Sequence, residues 1–376
     1  MLRPEQIELS SGEVEQWLEE QLLVAYFDAR KGKRCTEDEH KFEVNYLDNL
    51  MILKDDILNR CYHPSPGTAF VVDRPVKREI FAAPFRDRVV HHFLYNMVAD
   101  WWDRRMYYAS ASCRVNKGTL FAVRQLERQV KSITQNFAVP AYVIKLDIRG
   151  YFMSLPRKRL FERICWGLER QFPNGGEIYK ICRYLWKEVI FDEPTVGVKR
   201  RGKFADWDDL PISKTLFGQE TGRGIVIGNL SSQLLSNIYL DQLDRFVTLH
   251  LGYRYYGRYV DDFYYLVPTE QYEQGIQDIS AIKQFLDELD LQLHPKKHYV
   301  QPIEHGIPYV GTVVYPNRTV PGKRIKANFY EAAWRFSQGE VEKETINSYL
   351  GHMKHINGKL LAQRVFDKYG WDFEFF

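Results

Sequence analysis

The sequence lacks the cysteine patterns that build disulfide frameworks or zinc knuckles. Its 376 residues include five cysteines, an odd number, and no two of them form a Cys-x-x-Cys pair. Thiols in such an arrangement are expected to stay reduced, as they do in the cytosol. The pattern therefore argues against a small secreted domain and against a zinc site built from paired cysteines.

Long apolar stretches are also missing. The first residues, MLRPEQIELSSGEVEQWLEEQ, lack the apolar core of a signal peptide. No apolar run approaches the roughly 18–20 residues that a membrane-spanning helix needs. Internal repeats, low-complexity segments and linkers are absent from the sequence as well. These absences predict a soluble, cytoplasmic protein that does not engage a membrane.

The composition is that of a globular protein with many rings and an uneven charge distribution. Hydrophobic residues make up 45%, charged residues 27% and aromatic residues 15%, and rings can pack in a core or stack on bases. Residues 1–60 carry 8 Lys/Arg and 14 Asp/Glu, whereas the remainder carries 44 and 35. A basic body behind an acidic first segment fits a protein that binds a polyanion, and ordinary solvated surface charge is the alternative.

The periodicity of apolar residues predicts mixed helices and strands. Residues 12–30 have helical spacing, TAFVVD and REIFAA are two short strands joined by a basic turn, and RDRVVHHFLYNMVADWW is a helix. AYVIKLDIRGYF is a strand that runs into a turn, NLSSQLLSNIYLDQLDRFV is a helix, and RYYGRYVDDFYYLV is a hairpin. Residues 192–224 show no periodicity and are expected to form a long surface loop. The pattern predicts an α+β fold whose sheet is antiparallel at its centre.

Three carboxylates carry the chemistry that the sequence predicts. Asp147 lies near the end of a buried strand, and Asp261 and Asp262 lie at the tip of the aromatic hairpin. A turn or helix cap is the ordinary role for one such aspartate. If the two strands are neighbours, however, the three carboxylates form one cluster whose repulsion needs cations, which suits two Mg²⁺ ions about 4 Å apart, with Mn²⁺ as a substitute. Two-metal sites catalyse nucleotidyl and phosphoryl transfer.

The order of several motifs along the sequence resembles that of the reverse transcriptases. IKLDIRGYF is similar to their motif A, GIVIGNLSSQLLSNIYL to motif B and YVDD to motif C, about 110 residues after motif A. RPVKREIFAAPFRDRVVHH resembles the fingers segment, LDLQLHPKKHYV and IPYVGTVVY resemble motif D and the primer grip, and NSYLGHMKHI resembles the thumb of bacterial members. Each motif alone is a weak signal, but the whole set in this order is a strong one.

The resemblance implies a right-hand polymerase with fingers, an antiparallel palm sheet and a helical thumb. The implied division is an acidic helical segment at 1–60, fingers at 61–140, palm at 141–310 with the loop insertion at 192–224, and primer grip and thumb at 311–376. The implied activity is RNA-directed DNA synthesis from a template RNA, a DNA or RNA primer and deoxynucleotides. A non-catalytic RNA-binding scaffold is a different class of interpretation, and the three intact aspartates argue against it.

The resemblance also implies the metal ligands and the residues that contact the nucleotide. Asp147 and Asp261 would bind metal directly, Asp262 would act as a ligand or shape the field, and Ile148 would contribute its backbone. Lys77 and Arg78 would cover the triphosphate, although a solvated turn is the plain alternative. Phe152 would exclude the 2′-hydroxyl, unless it is an ordinary core ring. Lys297 or its neighbour Lys296 would protonate pyrophosphate, unless they are surface lysines. The implied primer grip comprises Tyr309, Val310 and Gly311.

Motif B distinguishes subfamilies. Group II intron enzymes carry Gln-Gly-x-x-x-Ser-Pro, whereas this chain has Ile227 in place of the first glutamine and Gln233 in place of the proline. That variant is similar to the reverse transcriptases of diversity-generating retroelements, in bacteria or phage. Those enzymes copy a template-repeat RNA with errors at adenines for mutagenic retrohoming. Alternatively, Ser231 or Ser232 caps the following helix and the pattern carries no functional meaning.

The alternative role is bacterial defence, of the abortive-infection or retron-like type. The sequence contains neither the Asn-Ala-x-x-His segment nor the Val-Thr-Gly of retron enzymes, and we expect no appended DNA-binding or endonuclease domain. The diversity-generating subfamily implies a basic helical accessory variability protein, a pentamer, as partner. The acidic segment 1–60 is a candidate contact for it, and a solvated helical face is the alternative.

Overall fold

The structure, a computed structural model, describes residues 10–31, 36–73 and 76–372. Parts of the predicted segments, namely residues 1–9, 32–35, 74–75 and 373–376, lie outside that range. The described chain divides into two compact units. The first comprises residues up to Tyr107 together with Ile148–Leu243 and Phe285–Leu293, and the second comprises Tyr108–Asp147, Asp244–Gln284 and the residues from His294 onward.

Helices and small sheets alternate along the chain. The α-helices are α1 Ser11–Arg30, α2 Glu37–Val44, α3 Tyr46–Leu58, α4 Phe85–Asp103, α5 Thr119–Ile133, α6 Tyr151–Ser154, α7 Arg157–Gln171, α8 Gly176–Phe191, α9 Ala205–Asp208, α10 Leu230–Arg245, α11 Tyr272–Glu288, α12 Lys323–Ser337, α13 Lys343–Met353 and α14 Lys359–Tyr369. The strands are β1 Thr68–Val72, β2 Arg78–Ala82, β3 Ala141–Asp147, β4 Lys199–Arg200, β5 Tyr256–Tyr259, β6 Asp262–Pro268, β7 Tyr299–Pro302, β8 Ile307–Tyr309, β9 Thr312–Tyr315 and β10 Arg318–Pro321. The prediction of an α+β fold whose sheet is antiparallel at its centre is confirmed, and the sheets are small.

The first unit is mainly helical. α1 buries one face, as its helical spacing predicts, and Trp17 of that helix meets Phe93 of α4 edge to face. Glu15 and Glu19 of α1 meet the ammonium group of Lys54 on α3. The backbone amide of Phe85, at the start of α4, is bound by the Asp38 carboxylate. The acidic N-terminal segment is therefore packed into this unit.

The segment 192–224 differs from the surface loop that the sequence predicts. Its backbone is largely irregular, but β4 pairs with β1 in parallel and Leu216 is buried. The cause is Glu79 on β2, a fully buried carboxylate that accepts hydrogen bonds from Trp207 Nε1 (2.7 Å), Thr215 Oγ1 (3.0 Å) and Leu216 N (2.8 Å). Because a buried carboxylate needs such donors, the segment is tied to the β1–β2 hairpin along its second half.

The second unit is built on a four-stranded antiparallel sheet in the order β5-β6-β3-β7. Alternate residues of the central strands face opposite sides. Val143 and Leu266 join the core that α5 contributes to, whereas Ile144 and Val267 approach Gly275 of α11. The sheet is therefore covered by a helix on each face, and the ends of β3 and β6 come to one edge.

A smaller sheet and three helices complete the second unit. The small sheet has the antiparallel order β8-β9-β10, and α12, α13 and α14 share a core that includes Phe329 and Phe366. Asn357, between α13 and α14, exchanges hydrogen bonds with the backbone of Thr319 on β10. The predicted fingers, palm and thumb boundaries remain a prediction, because each compact unit is assembled from separated segments of the chain. Within the described residues, no helix is both long and apolar enough to span a bilayer.

Candidate active site

The pairing register brings the predicted carboxylates to one edge of the four-stranded sheet. Asp147, the last residue of β3, lies directly opposite Asp262, the first residue of β6. Like charges at directly opposite positions of a sheet repel each other. Asp261 belongs to the two-residue turn between β5 and β6, since Tyr259 pairs with Asp262. The condition that the sequence left open, that the two strands be neighbours, is met.

The turn that presents Asp261 is strained. Val260, the residue before it, has a φ of 60°. A β-branched side chain is disfavoured in this left-handed region, so such a residue persists only where its surroundings hold it. Strain of this kind concentrates at functional sites.

Two of the three carboxylates form ion pairs with lysines. Lys297 Nζ lies 2.9 and 3.0 Å from the two carboxylate oxygens of Asp147. The segment that carries Lys297 is fixed by a hydrogen bond from His294 N to the Asp147 carbonyl (2.7 Å). Lys145, two residues before Asp147 on the same face of β3, lies 2.8 Å from Asp262 Oδ2. No sequence motif points to Lys145, although strand alternation places it beside Asp147.

Burial and mutual repulsion disfavour the charged forms of Asp261 and Asp262. Desolvation, together with the charge of Asp147, raises the pKa of Asp261 to about 7. Desolvation also raises the pKa of Asp262, against the opposing effect of Lys145. The second carboxylate oxygen of Asp262, Oδ1, is buried and has no hydrogen-bond partner. Each of these features is a cost that a nearby cation would relieve.

The donor set fits a divalent cation of the hard type, which prefers carboxylate oxygens. Among the described residues, no three His, Cys, Asp or Glu side chains are arranged to hold an ion as they stand. Two of the three carboxylates are paired with lysines instead, Asp262 with Lys145 and Asp147 with Lys297. Ile148 is buried and forms an isolated bridge with Leu293, and its predicted role as a backbone ligand remains a prediction.

Behind the hairpin lies a buried ion pair that the sequence did not reveal. The guanidinium of Arg258 on β5 meets both carboxylate oxygens of Asp244 at 2.7 and 2.8 Å. Arg258 is 1% exposed and Asp244 is 0% exposed. Arg258 lies within the hairpin motif, but no spacing rule links it to Asp244, which comes from the end of α10.

The predicted primer grip is a second hairpin. Tyr309 pairs with Thr312, so Val310 and Gly311 form a two-residue turn between β8 and β9. The Tyr309 side chain is 2% exposed and packs edge to face on Tyr264 of the four-stranded sheet, with ring centroids 5.0 Å apart. Its ring is therefore a core residue, and the turn is the part of the predicted grip that a primer could reach.

The predicted nucleotide-binding residues of the first unit lie on the β1–β2 hairpin and near motif B. Arg78 begins β2 and is exposed, and Lys77 is half-buried with its ammonium 3.8 Å from an Asp209 carboxylate oxygen. Phe152 on α6 and Ile227 pack against one cluster of buried residues, which includes Phe81 of β2. Phe152 and Ile227 therefore lie against the same apolar cluster, and their roles at the nucleotide remain a prediction.

Motif B is anchored through its backbone. Phe81 N donates to the Ile227 carbonyl at 3.0 Å, and Gly228 has a φ of 132° with the Phe81 carbonyl oxygen where a side chain would begin. α10 begins at Leu230, so Ser231 and Ser232 lie inside its first turn, and the alternative that one of them caps the helix is wrong. Ser231 instead pairs with His91 at 2.9 Å. Gln233 is half-buried on α10.

No family model matches the chain, and no curated protein matches it. A solved structure of telomerase from Candida albicans, in complex with a fragment of telomeric RNA, is similar to the chain with a TM-score of 0.48 at 13% identity. The match covers 88% of this chain and 59% of that one.

Proposed function

We propose that this chain is an RNA-directed DNA polymerase that transfers nucleotides at the edge formed by β3, β5 and β6. The observation that carries the proposal is the register that sets Asp147 opposite Asp262, with Asp261 in the strained turn beside them. Together with the order of the reverse transcriptase motifs, this arrangement favours a catalytic palm over a non-catalytic scaffold. A scaffold would have no need of a repulsive carboxylate cluster, which costs stability.

We assign a separate role to each side chain at this edge from its ion pairs and its exposure. Asp147 and Asp261 would hold two Mg²⁺ ions, or Mn²⁺ in their place, and Asp262 is restrained by Lys145. When bound, such ions lower the pKa of an attacking hydroxyl and neutralise phosphate charge. Lys297 has 57% of its side chain exposed, so it is free to leave Asp147 for a phosphate oxygen and to donate a proton to the leaving group. Lys145, 19% exposed, is expected to stay in place.

Extension of a primed RNA template tests the activity. We expect Mg²⁺-dependent addition of deoxynucleotides by the purified chain and a loss of about a thousandfold or more in Asp261→Asn. The matched control is Asp48→Asn, the same change at an exposed aspartate of α3, which should extend primers normally. Tight RNA binding with no extension by the wild type would establish the scaffold interpretation instead.

Selection of deoxynucleotides is proposed to rest on Phe152. A ring beneath the sugar excludes the 2′-hydroxyl, so Phe152→Ala should admit ribonucleotides and lower the discrimination about tenfold or more. Phe217→Ala is the control, because Phe217 packs against the same buried cluster. Equal loss of discrimination in both variants would mean that Phe152 is only a core ring.

The subfamily that we propose is that of the diversity-generating retroelements, with a template-repeat RNA as substrate. An aliphatic Ile227 and a Gln233 at the ends of motif B remove contacts that distinguish right from wrong pairs, and fidelity depends on such contacts. Misincorporation opposite template adenine should exceed that opposite other bases and should fall in Ile227→Gln. Val226→Gln, next in the chain and in the same cluster, is the control. Equal error rates at all four template bases would favour a defence enzyme.

The accessory partner is proposed to be a basic protein that meets the acidic face of α1–α3. Deletion of the segment is a poor test, because α1 contributes core residues such as Leu18 and Leu22. Charge reversal of exposed positions, Glu20→Lys with Asp48→Lys, keeps the packing. We expect weaker, less salt-sensitive capture of the purified basic partner, whereas Glu273→Lys on α11 should have no effect. Unchanged capture would leave the face as solvated surface.

A further inference from the structure

The buried ion pair of Arg258 and Asp244 makes further hydrogen bonds besides those that join the two side chains. Besides the two bonds to Asp244, Arg258 Nη2 donates to Ser110 Oγ at 2.9 Å, and Nη1 donates to the Val260 carbonyl oxygen at 3.0 Å. The Tyr256 hydroxyl donates to the same Asp244 carboxylate at 2.6 Å. One guanidinium thus joins the end of α10, the residues before α5 and the turn of the hairpin.

The bond to Val260 is the one that bears on catalysis. Val260 immediately precedes Asp261 and has the left-handed φ of 60°. A β-branched residue leaves this conformation readily unless something fixes it. The carbonyl of Val260 belongs to the peptide whose nitrogen is that of Asp261. A donor that fixes this carbonyl therefore fixes the direction in which Asp261 leaves the turn.

Stability alone is a poor explanation for the pair. Replacing a buried ion pair with apolar side chains of similar size is often neutral or stabilising, so the pair by itself is weak evidence for a stabilising role. The segment 109–111 already ties β5 through backbone bonds, from Arg258 N to Ala109 O (3.1 Å) and from Ala111 N to Arg258 O (3.0 Å). The strand thus has its own anchors, and the side chain adds the bond to the turn.

We propose, on the basis of the polymerase function above, that Arg258 is the positioning residue of Asp261. Its side chain is 1% exposed, so the proposed role does not involve contact with substrate or metal. It acts through the Val260 carbonyl, and Asp244 holds its guanidinium plane in the orientation that reaches that carbonyl. A lysine would keep the charge but lacks the planar fork that serves Asp244, Ser110 and Val260 together.

Arg258→Lys tests the proposal. At saturating primer and template, we expect kcat for nucleotide addition to fall about tenfold or more, with the KM for the deoxynucleotide within about twofold. Two readouts do not depend on activity. Amide hydrogen exchange across Tyr259–Asp262 should speed up in the metal-free protein, and Mn²⁺ binding followed by electron paramagnetic resonance should weaken about tenfold.

Ser110→Ala is the matched control. It removes one bond to the same guanidinium, in the same buried cluster, and leaves the bond from Nη1 to Val260. We expect a lower Tm with kcat, exchange at the hairpin and Mn²⁺ affinity close to those of the wild type. If Arg258→Lys does not fold, Val260→Gly supplies the second variant, because it relaxes the turn directly. Faster exchange at the hairpin and a lower kcat are expected there as well.

The outcomes separate this proposal from the proposed function. If the wild type extends no primer but Arg258→Lys still loosens the hairpin and weakens Mn²⁺ binding, the polymerase function fails and the positioning role stands. If the wild type is active and Arg258→Lys and Ser110→Ala lose kcat in the same proportion as they lose Tm, Arg258 is structural only. Full activity and unchanged exchange in Arg258→Lys would likewise overturn the positioning role.

Discussion

The hairpin β5–β6 and the hairpin β8–β9 of the second unit have turns of the same length but different sequences. The first reads Tyr-Val-Asp-Asp and the second Tyr-Val-Gly-Thr, and in each the tyrosine pairs with the fourth residue. The valine is left-handed in both, with a φ of 60° for Val260 and 46° for Val310. The two turns therefore share the conformation of the valine but differ at the next residue, since Gly311 has a φ of 83° and Asp261 is not left-handed.

The two turns also differ in the residues that surround them. The first turn holds two carboxylates and is fixed from behind by Arg258, whereas Gly311 of the second turn approaches Ile325 at the start of α12. The Gly311 carbonyl accepts a bond from Gly322 N at 2.9 Å. The first hairpin presents charge at a cost in stability, and the second links the four-stranded sheet to the helices that follow it. The comparison predicts that activity and stability respond separately to changes in the two turns.

The largest expected effect comes from making the first turn resemble the second. Asp261→Gly should abolish nucleotide addition, with a loss of about a thousandfold or more. At pH 8 and without divalent cations, the free energy of unfolding should rise by about 1 kcal/mol, because a desolvated carboxylate whose pKa is raised to about 7 is removed. Primer extension and denaturant unfolding measure the two quantities. A loss of stability together with activity would mean that Asp261 supports the fold.

The next effect comes from the same substitution in both turns. Val260→Gly should lower kcat about tenfold, whereas Val310→Gly should leave kcat at saturating primer within about twofold and raise the KM for the primer. The free energy of unfolding should change by no more than about 1 kcal/mol in either variant, because relief of strain is offset by the flexibility of glycine in the unfolded chain. Equal kcat losses in the two variants would contradict the division of roles.

Sequence reasoning found the elements of this comparison but not their connections. The alternation around Asp147 predicted β3, and the aromatic run predicted the hairpin that carries Asp261 and Asp262. A short-range period is enough for such elements, since it reports which face of a strand is buried. The register that sets Asp147 opposite Asp262 could be expected only through the resemblance to a known family.

Long-range contacts between polar residues could not be predicted from the sequence. Nothing in the spacing links Arg258 to Asp244, and the tie from Glu79 to the segment 192–224 turned a predicted surface loop into partly buried structure. The burial of the Tyr309 ring was also not predicted, because its partner Tyr264 belongs to a strand some 45 residues away in the sequence. Such pairs are decided by tertiary packing, which leaves no local period to detect.

A smaller effect, on stability alone, is expected at Gly311. This residue has a φ of 83°, and a methyl group there would lie 2.8 Å from Ile325 Cδ1. Gly311→Ala should lower the free energy of unfolding by about 1–2 kcal/mol. Gly339→Ala is the control, since its φ is 74° with nothing within 4 Å of the added carbon. A larger loss at Gly311 than at Gly339 measures how tightly the second turn packs on α12, and equal losses would show that the turn only carries backbone strain.

The smallest expected effect is at Thr312, which occupies in the second hairpin the position that Asp262 occupies in the first. The Thr312 hydroxyl donates back to the Tyr309 carbonyl at 2.8 Å and is buried, whereas the Asp262 carboxylate reaches Lys145 on the neighbouring strand. Thr312→Val should therefore cost about 1 kcal/mol of stability, the net value of one buried hydrogen bond, and leave kcat unchanged. The Tyr309 ring would still pack on Tyr264. If kcat falls in this variant while the protein stays folded, the second hairpin governs the catalytic sheet through Tyr309, and the two turns are coupled rather than independent.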